Sequence, residues 1–262
     1  MNKERIRAAA VAGLFYPGEA DVLRKEVLRL LEGVETGDGP RPRALIVPHA
    51  GYIYSGATAA AGYARLRPWR ASIKQVLVLG PPHRVPVRGF AASSAAAFAT
   101  PLGNVPLRPA DSELTAGIVA LDDAAHALEH CIEVQLPFLA TVLDAVTVQP
   151  LLVAEPSAAR VADIIAPYWE RDDCLTVIST DLSHFLDYDA ARRRDLASDG
   201  SIMALDGAGI GPEQACGCHA LNGLLHLAAR RGARIERLAL CNSGDTAGGR
   251  ERVVGYGSYA LY

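Results

Sequence analysis

The stretch Leu175-Thr176-Val177-Ile178-Ser179-Thr180-Asp181-Leu182-Ser183-His184 decides the fold. An apolar, β-branched run closed by Ser and Thr reads as a strand buried on both faces of a parallel sheet. A carboxylate and an imidazole follow on the turn. Two upstream stretches repeat the pattern. Leu45-Ile46-Val47 runs into Pro48-His49-Ala50-Gly51-Tyr52, and Val76-Leu77-Val78-Leu79 runs into Gly80-Pro81-Pro82-His83. In open sheets of this kind ligands collect beyond the carboxyl ends of the strands. Three imidazoles delivered to one rim suggest a metal site.

Between these strands the periodicity changes. Leu23, Val27, Leu30 and Leu31 make one apolar stripe and predict a helix over 19–32. Further helices are expected at 55–66, 112–121, 132–144 with a break near Pro137, 157–170, 189–205, and 212–231 with an interruption near Cys216-Gly217-Cys218. Strands are expected at 44–47, 75–79, 146–153, 174–179, 237–241 and 252–262, the last antiparallel at the sheet edge. Residues 90–107 read as a hairpin or edge excursion. Alternating β and α elements predict an α/β fold. It would be a single domain over 1–262, with a mixed, mostly parallel sheet and helices on both faces.

The chain has 262 residues, is 50% hydrophobic and carries a net charge of −3. That length buries a large core in one domain. Acidic and basic residues are interspersed, which points away from nucleic acid and from membrane surfaces. The N-terminus lacks the apolar segment of a signal peptide, and no run approaches the roughly 20 apolar residues of a membrane span. A cytoplasmic location is expected, where five cysteines would stay reduced.

The candidate residues each carry two readings. His49 sits among small residues that admit a ligand, or caps the next helix. His83 follows two prolines that stiffen its loop, or is a solvent-exposed loop residue. Asp181 and His184 can serve as ligand and acid/base group, and Asp181 or Ser183 can equally be an N-cap. Glu129, His130 and Glu133 open a helical stretch, with the two carboxylates on one face. They either orient a ligand histidine or complement a helix dipole. Cys216 and Cys218 are thiolate candidates, Cys216 with its pKa lowered by a helix N-terminus, or else small core residues. Asn242-Ser243-Gly244-Asp245 suits close contact with an anion, or a plain turn. Cys131, Cys174, Cys241, His126 and His226 read as structural.

Together these stretches resemble the Memo family, whose bacterial members are called AmmeMemoRadiSam system protein B. The resemblance runs from Ala12-Gly13-Leu14-Phe15-Tyr16-Pro17 through the His49 and His83 loops. It continues through Glu129-His130-Cys131-Ile132-Glu133-Val134-Gln135-Leu136-Pro137, the 179–184 stretch and Ala215-Cys216-Gly217 to Ser243-Gly244-Asp245. It implies the class III extradiol dioxygenase (LigB-like) fold. His49 and His83 are then metal ligands, with Cys216 where those enzymes have a glutamate. His184 stands at the acid/base position with Asp181 beside it. Glu129, His130 and Glu133 support the ligands.

A thiolate in place of the carboxylate of a 2-His-1-carboxylate face favours iron, with copper or zinc as alternatives. The resemblance implies oxidoreductase chemistry if the protein is an enzyme. It also allows a non-catalytic module that binds a peptide, small molecule, AMMECR-type protein or radical SAM protein at the rim. A homodimer is expected only on general grounds.

Overall fold

The computed structural model describes residues 5–34, 39–108 and 119–262. In chain order the first half forms β1 (Ile6–Arg7), α1 (Ala20–Glu32), β2 (Ala44–Val47), α2 (Tyr52–Ala64), β3 (Gln75–Gly80), β4 (Gly89–Ala92), β5 (Ala97–Thr100), β6 (Gly103–Pro106) and β7 (Val119–Leu121). The second half forms α3 (Asp123–Ala127), α4 (Leu136–Val142), β8 (Thr147–Ala154), α5 (Ala158–Trp169), β9 (Cys174–Ser179), β10 (His184–Leu186), α6 (Tyr188–Met203), α7 (Cys218–Arg231), β11 (Ile235–Asn242) and β12 (Val253–Leu261).

Nine strands make one sheet in the order β10-β12-β2-β9-β3-β8-β4-β7, with β11 also paired to β12. The four central strands, β2, β9, β3 and β8, are mutually parallel. Their register aligns Val47 with Ser179 and Leu79 with Ile178. The segments leaving β2, β3 and β9 therefore emerge at one rim. The flanking strands β12 and β4 run antiparallel to this block.

The strands are apolar on both faces because both faces are covered. In β3, Val76 and Val78 pack into the core under α1, α2 and α4. Leu77 and Leu79 pack into the other core, with Val161 and Ile165 of α5 and Leu221, Leu224 and Leu225 of α7. The predicted stripe of α1 is the buried one: Leu23, Val27, Leu30 and Leu31. Among the described residues no helix is long and apolar enough to cross a membrane.

Several elements differ from expectation. Of the helix expected over 112–121, residues 112–118 lie outside the described residues, and Val119–Leu121 is a strand parallel to β4. Pairing with an open sheet edge outweighs local propensity there. The last strand is antiparallel but not at the edge, since β11 and β10 both pair beyond it. Its residues are nearly all buried, while β11 is half-buried along its length and takes the edge. The excursion at 90–107 splits. β5 and β6 form a hairpin joined by β1, and β4 enters the main sheet. Pro137 stands in the first turn of α4, after a 3₁₀ turn at Glu133–Gln135, rather than breaking a helix. The missing N–H of a proline costs nothing in a first turn.

Candidate metal centre

His49 leaves the end of β2 and is almost fully buried, 1% exposed. Its backbone N–H donates to Asp181 Oδ1 at 2.8 Å, tying the β2 loop to the β9 loop. Its ring Nδ1 lies 2.9 Å from Ser179 Oγ, and its Nε2 lies 3.3 Å from Cys216 Sγ. Burial, then the neighbouring His83 and His130, hold its pKa well below the ordinary value, so the ring is neutral. A neutral imidazole is the form that ligates metals.

His83 leaves the end of β3. Its backbone N–H and its Nδ1 both meet the Glu129 carboxylate, at 2.6 and 2.9 Å. The same carboxylate accepts from the backbone N–H groups of His130 and Cys131. Burial works to raise the Glu129 pKa, but hydrogen bonding from the His130 and His83 side prevails and holds it well below the carboxylate range. A permanent anion behind a histidine fixes the ring orientation and tautomer and raises ligand basicity.

The third imidazole of the cluster is His130. The rings of His49, His83 and His130 lie with centroids 4.6 to 5.4 Å apart. One ligand atom from each lies within 4.8 Å of the others. A second set, His83, Glu129 and Cys131, meets the same criterion. His130 Nδ1 is buried and lies 3.2 Å from Glu129 Oε1, so the one carboxylate serves two of the three imidazoles. These donors fit a borderline or soft divalent ion.

Cys216 is placed by a turn and not by a helix. Its N–H donates to Asp181 O at 3.3 Å. The following Gly217 N–H donates to Thr180 Oγ1 at 2.9 Å. A Cβ at Gly217 would lie 2.8 Å from Thr180 Cβ, so the close seat of this turn on the β9 loop requires glycine. Helix α7 starts only at Cys218, and the expected lowering of the Cys216 pKa does not occur. Burial, and then the Asp181 carboxylate, push the thiol up to about 12. It is a thiol until a cation displaces the proton, and this speaks against a free thiolate nucleophile. Cys218 is buried in the core around α7, whereas Cys216 lies beside His49.

Asp181 is 5% exposed, and burial raises its pKa. Its Oδ2 lies 4.0 Å from His49 Nε2. His184 opens β10 at the rim and is half-buried, next to Phe185, whose backbone takes a positive φ of 60°. The imidazole gathered with His49 and His83 is thus His130, which comes from a loop, and His184 is not part of that group.

Glu133 does not face the histidines. It accepts from Arg7, Ala10 N, Val11 N and Tyr16 OH, and pins the N-terminal segment. The two glutamates were expected on one helix face. The chain turns between them instead, and their side chains part. Asn242 and Asp245 cap their own 3₁₀ turn at Ser243–Asp245, and the turn is tied to its surroundings by Tyr188 Oη donating to Asp245 and Val254 N donating to Ser243 Oγ. Sequence reasoning did not single out Ser179 or Gln135, although both stood within quoted stretches. A hydroxyl and an amide inside apolar elements were the available signal.

The family model described as Memo-like protein matches residues 7–260. A MEMO1 family protein from Thermoplasma volcanium is 33% identical over 268 residues, covering 97% of each chain. One from Methanopyrus kandleri is 34% identical over 284 residues, covering 95% of this chain and 96% of its own. One from Aquifex aeolicus is 36% identical over 200 residues, covering 73% and 72%. In fold the chain is similar to the crystal structure of uncharacterized protein JW3007 from Escherichia coli K12. That likeness has a TM-score of 0.50 and 14% identity, over 82% of this chain and 99% of the other. With a family model spanning nearly the whole chain and relatives matched end to end, this chain belongs to the Memo-like protein family.

Proposed function

We propose that this Memo-family protein binds iron or copper through His49, His83 and Cys216 and supports redox or oxidative chemistry there. The observation that carries the reading is the approach of Cys216 Sγ to His49 Nε2, 3.3 Å, beside a cluster of three imidazoles. Two nitrogens and one sulfur are the donors of choice for iron, copper(I) or zinc. A bound iron or copper would supply one-electron redox chemistry; zinc would not.

The chain's own residues supply the rest. Glu129 orients His83 and offsets positive charge at the site. Asp181, buried and 4.0 Å from His49 Nε2, can hold a proton next to the ligands. His184, half-exposed at the rim, can exchange a proton with solvent. Cys216 gives up its proton on metal uptake, so binding weakens as pH falls. Anaerobic Fe(II) or Cu(I) loading, followed by elemental analysis, tests the reading. Wild type is expected to retain about one equivalent, and His49→Ala and Cys216→Ser to lose it. Equal retention by all three would contradict it.

One observation favours a second reading, as a partner-binding module. An apolar groove of about 600 Å³ runs along Leu14, Phe15, Val22 and Ile53. Leu14 is 80% exposed and Ile53 68% exposed. Phe15 touches His130, so the groove reaches the rim. It suits an apolar peptide segment or a protein of the AMMECR or radical SAM type. A metal-free protein that holds such a partner equally well with and without His49 would favour this reading.

A further inference from the structure

Behind His49 lies a hydrogen-bond relay in which every donor is determined. Tyr63 Oη donates to Gln135 Oε1 at 2.9 Å, which fixes the orientation of the amide. The Gln135 Nε2 then donates to Pro48 O and to Ser179 Oγ, each at 2.9 Å. Ser179 has a single proton, and it goes to Cys131 O at 2.6 Å. One lone pair of Ser179 Oγ is therefore taken by Gln135, and the other faces His49 Nδ1 at 2.9 Å. With no proton left on Ser179 to give, the hydrogen in that contact belongs to His49 Nδ1.

The other end of the ring agrees. His49 Nε2 is the nitrogen turned toward Cys216 Sγ, 3.3 Å away, and the Nδ1–H tautomer leaves its lone pair on that side. Tyr63, Gln135, Ser179 and His49 are each 1% exposed or less, so water offers no alternative partner. We infer that Ser179, oriented by Gln135 and Tyr63, is a positioning residue that locks His49 as its Nδ1–H tautomer and so presents the Nε2 lone pair to a metal.

The last clause rests on the proposed metal reading; the tautomer itself rests on the hydrogen bonds alone. His83 is turned the same way by a different group, the anionic Glu129. A neutral hydroxyl behind His49 reaches the same tautomer without adding a second buried carboxylate beside Asp181.

Metal-free wild-type protein with ¹⁵N-labelled histidine tests this in a multiple-bond ¹H–¹⁵N correlation. His49 is expected to show the Nδ1–H pattern; an Nε2–H pattern overturns the inference. Ser179→Ala is expected to lose the single tautomer and to bind Fe(II) about 10- to 100-fold more weakly by competition titration. Ser179→Thr, which keeps the hydroxyl, is expected to restore both. Should Ser179→Ala not fold, Gln135→Met removes the donor to Ser179 and is expected to give mixed tautomers. Unchanged tautomer and affinity in the folded variant would overturn the role of Ser179 while leaving the metal reading intact. An Nδ1–H wild type that takes up no metal would support the lock and contradict the metal reading.

Discussion

Glu129 and Glu133 are both buried carboxylates, and they serve different parts of the molecule. Glu129 receives His83 and the N–H groups of His130 and Cys131. Its replacement by Gln keeps the shape but removes the charge. Glu129→Gln is expected to weaken metal binding by about 10- to 100-fold, read by chelator competition. Glu133 pairs with Arg7 inside the protein. Glu133→Ala leaves a buried guanidinium unpaired and is expected to cost about 3–5 kcal/mol in urea unfolding. The metal stoichiometry of the folded fraction should not change. His49 and His83 were legible because a strand end announces itself in a β-branched run closed by Pro or Gly. His130 was legible only as a neighbour, because no periodic element delivers it. The loop bond from Glu129 to its own following N–H groups sets its direction, and sequence spacing does not encode that bond.

At the scale of elements, the strands that carry the site were readable and the pieces around them less so. β2, β3 and β9 are buried on both faces, and such runs have no other home. Edge elements such as β7 and β11 owe their state to what they pair with, and propensity says little about that. The Cys216 turn has a similar origin. Its position comes from Gly217 seated against Thr180, a contact between segments 36 residues apart or more. The helix that follows is packed closely on α5, since a Cβ at Gly223 would lie 2.2 Å from Val161 Cβ. Gly223→Ala is expected to destabilise the protein by about 1–3 kcal/mol in chemical denaturation. Val161→Ala in the same chain should recover part of that loss, a coupling that independent sites would not show.

For the whole molecule, stability on the acid side carries the signature of buried histidine. Burial lowers the His126 pKa to about 4, although its bond to Ala91 O works in the other direction. The unfolded chain protonates near the ordinary value of about 6.5. Between about pH 6.5 and 4 the unfolded state takes up a proton that the folded state refuses, so stability falls as pH falls through that window. The full effect is about 3 kcal/mol at 1.36 kcal/mol per pH unit. His126→Gln is expected to flatten the stability profile there, measured by urea midpoints at a series of pH values.

The sheet order brings segments 167 residues apart, His49 and Cys216, to one point. The central claim is that a thiolate stands there as a ligand where a carboxylate would serve a dioxygenase. X-ray absorption at the metal edge of the loaded protein tests it most directly. The account predicts a sulfur scatterer at about 2.3 Å in wild type that is absent from Cys216→Ser. A wild-type spectrum with nitrogen and oxygen neighbours only would contradict it.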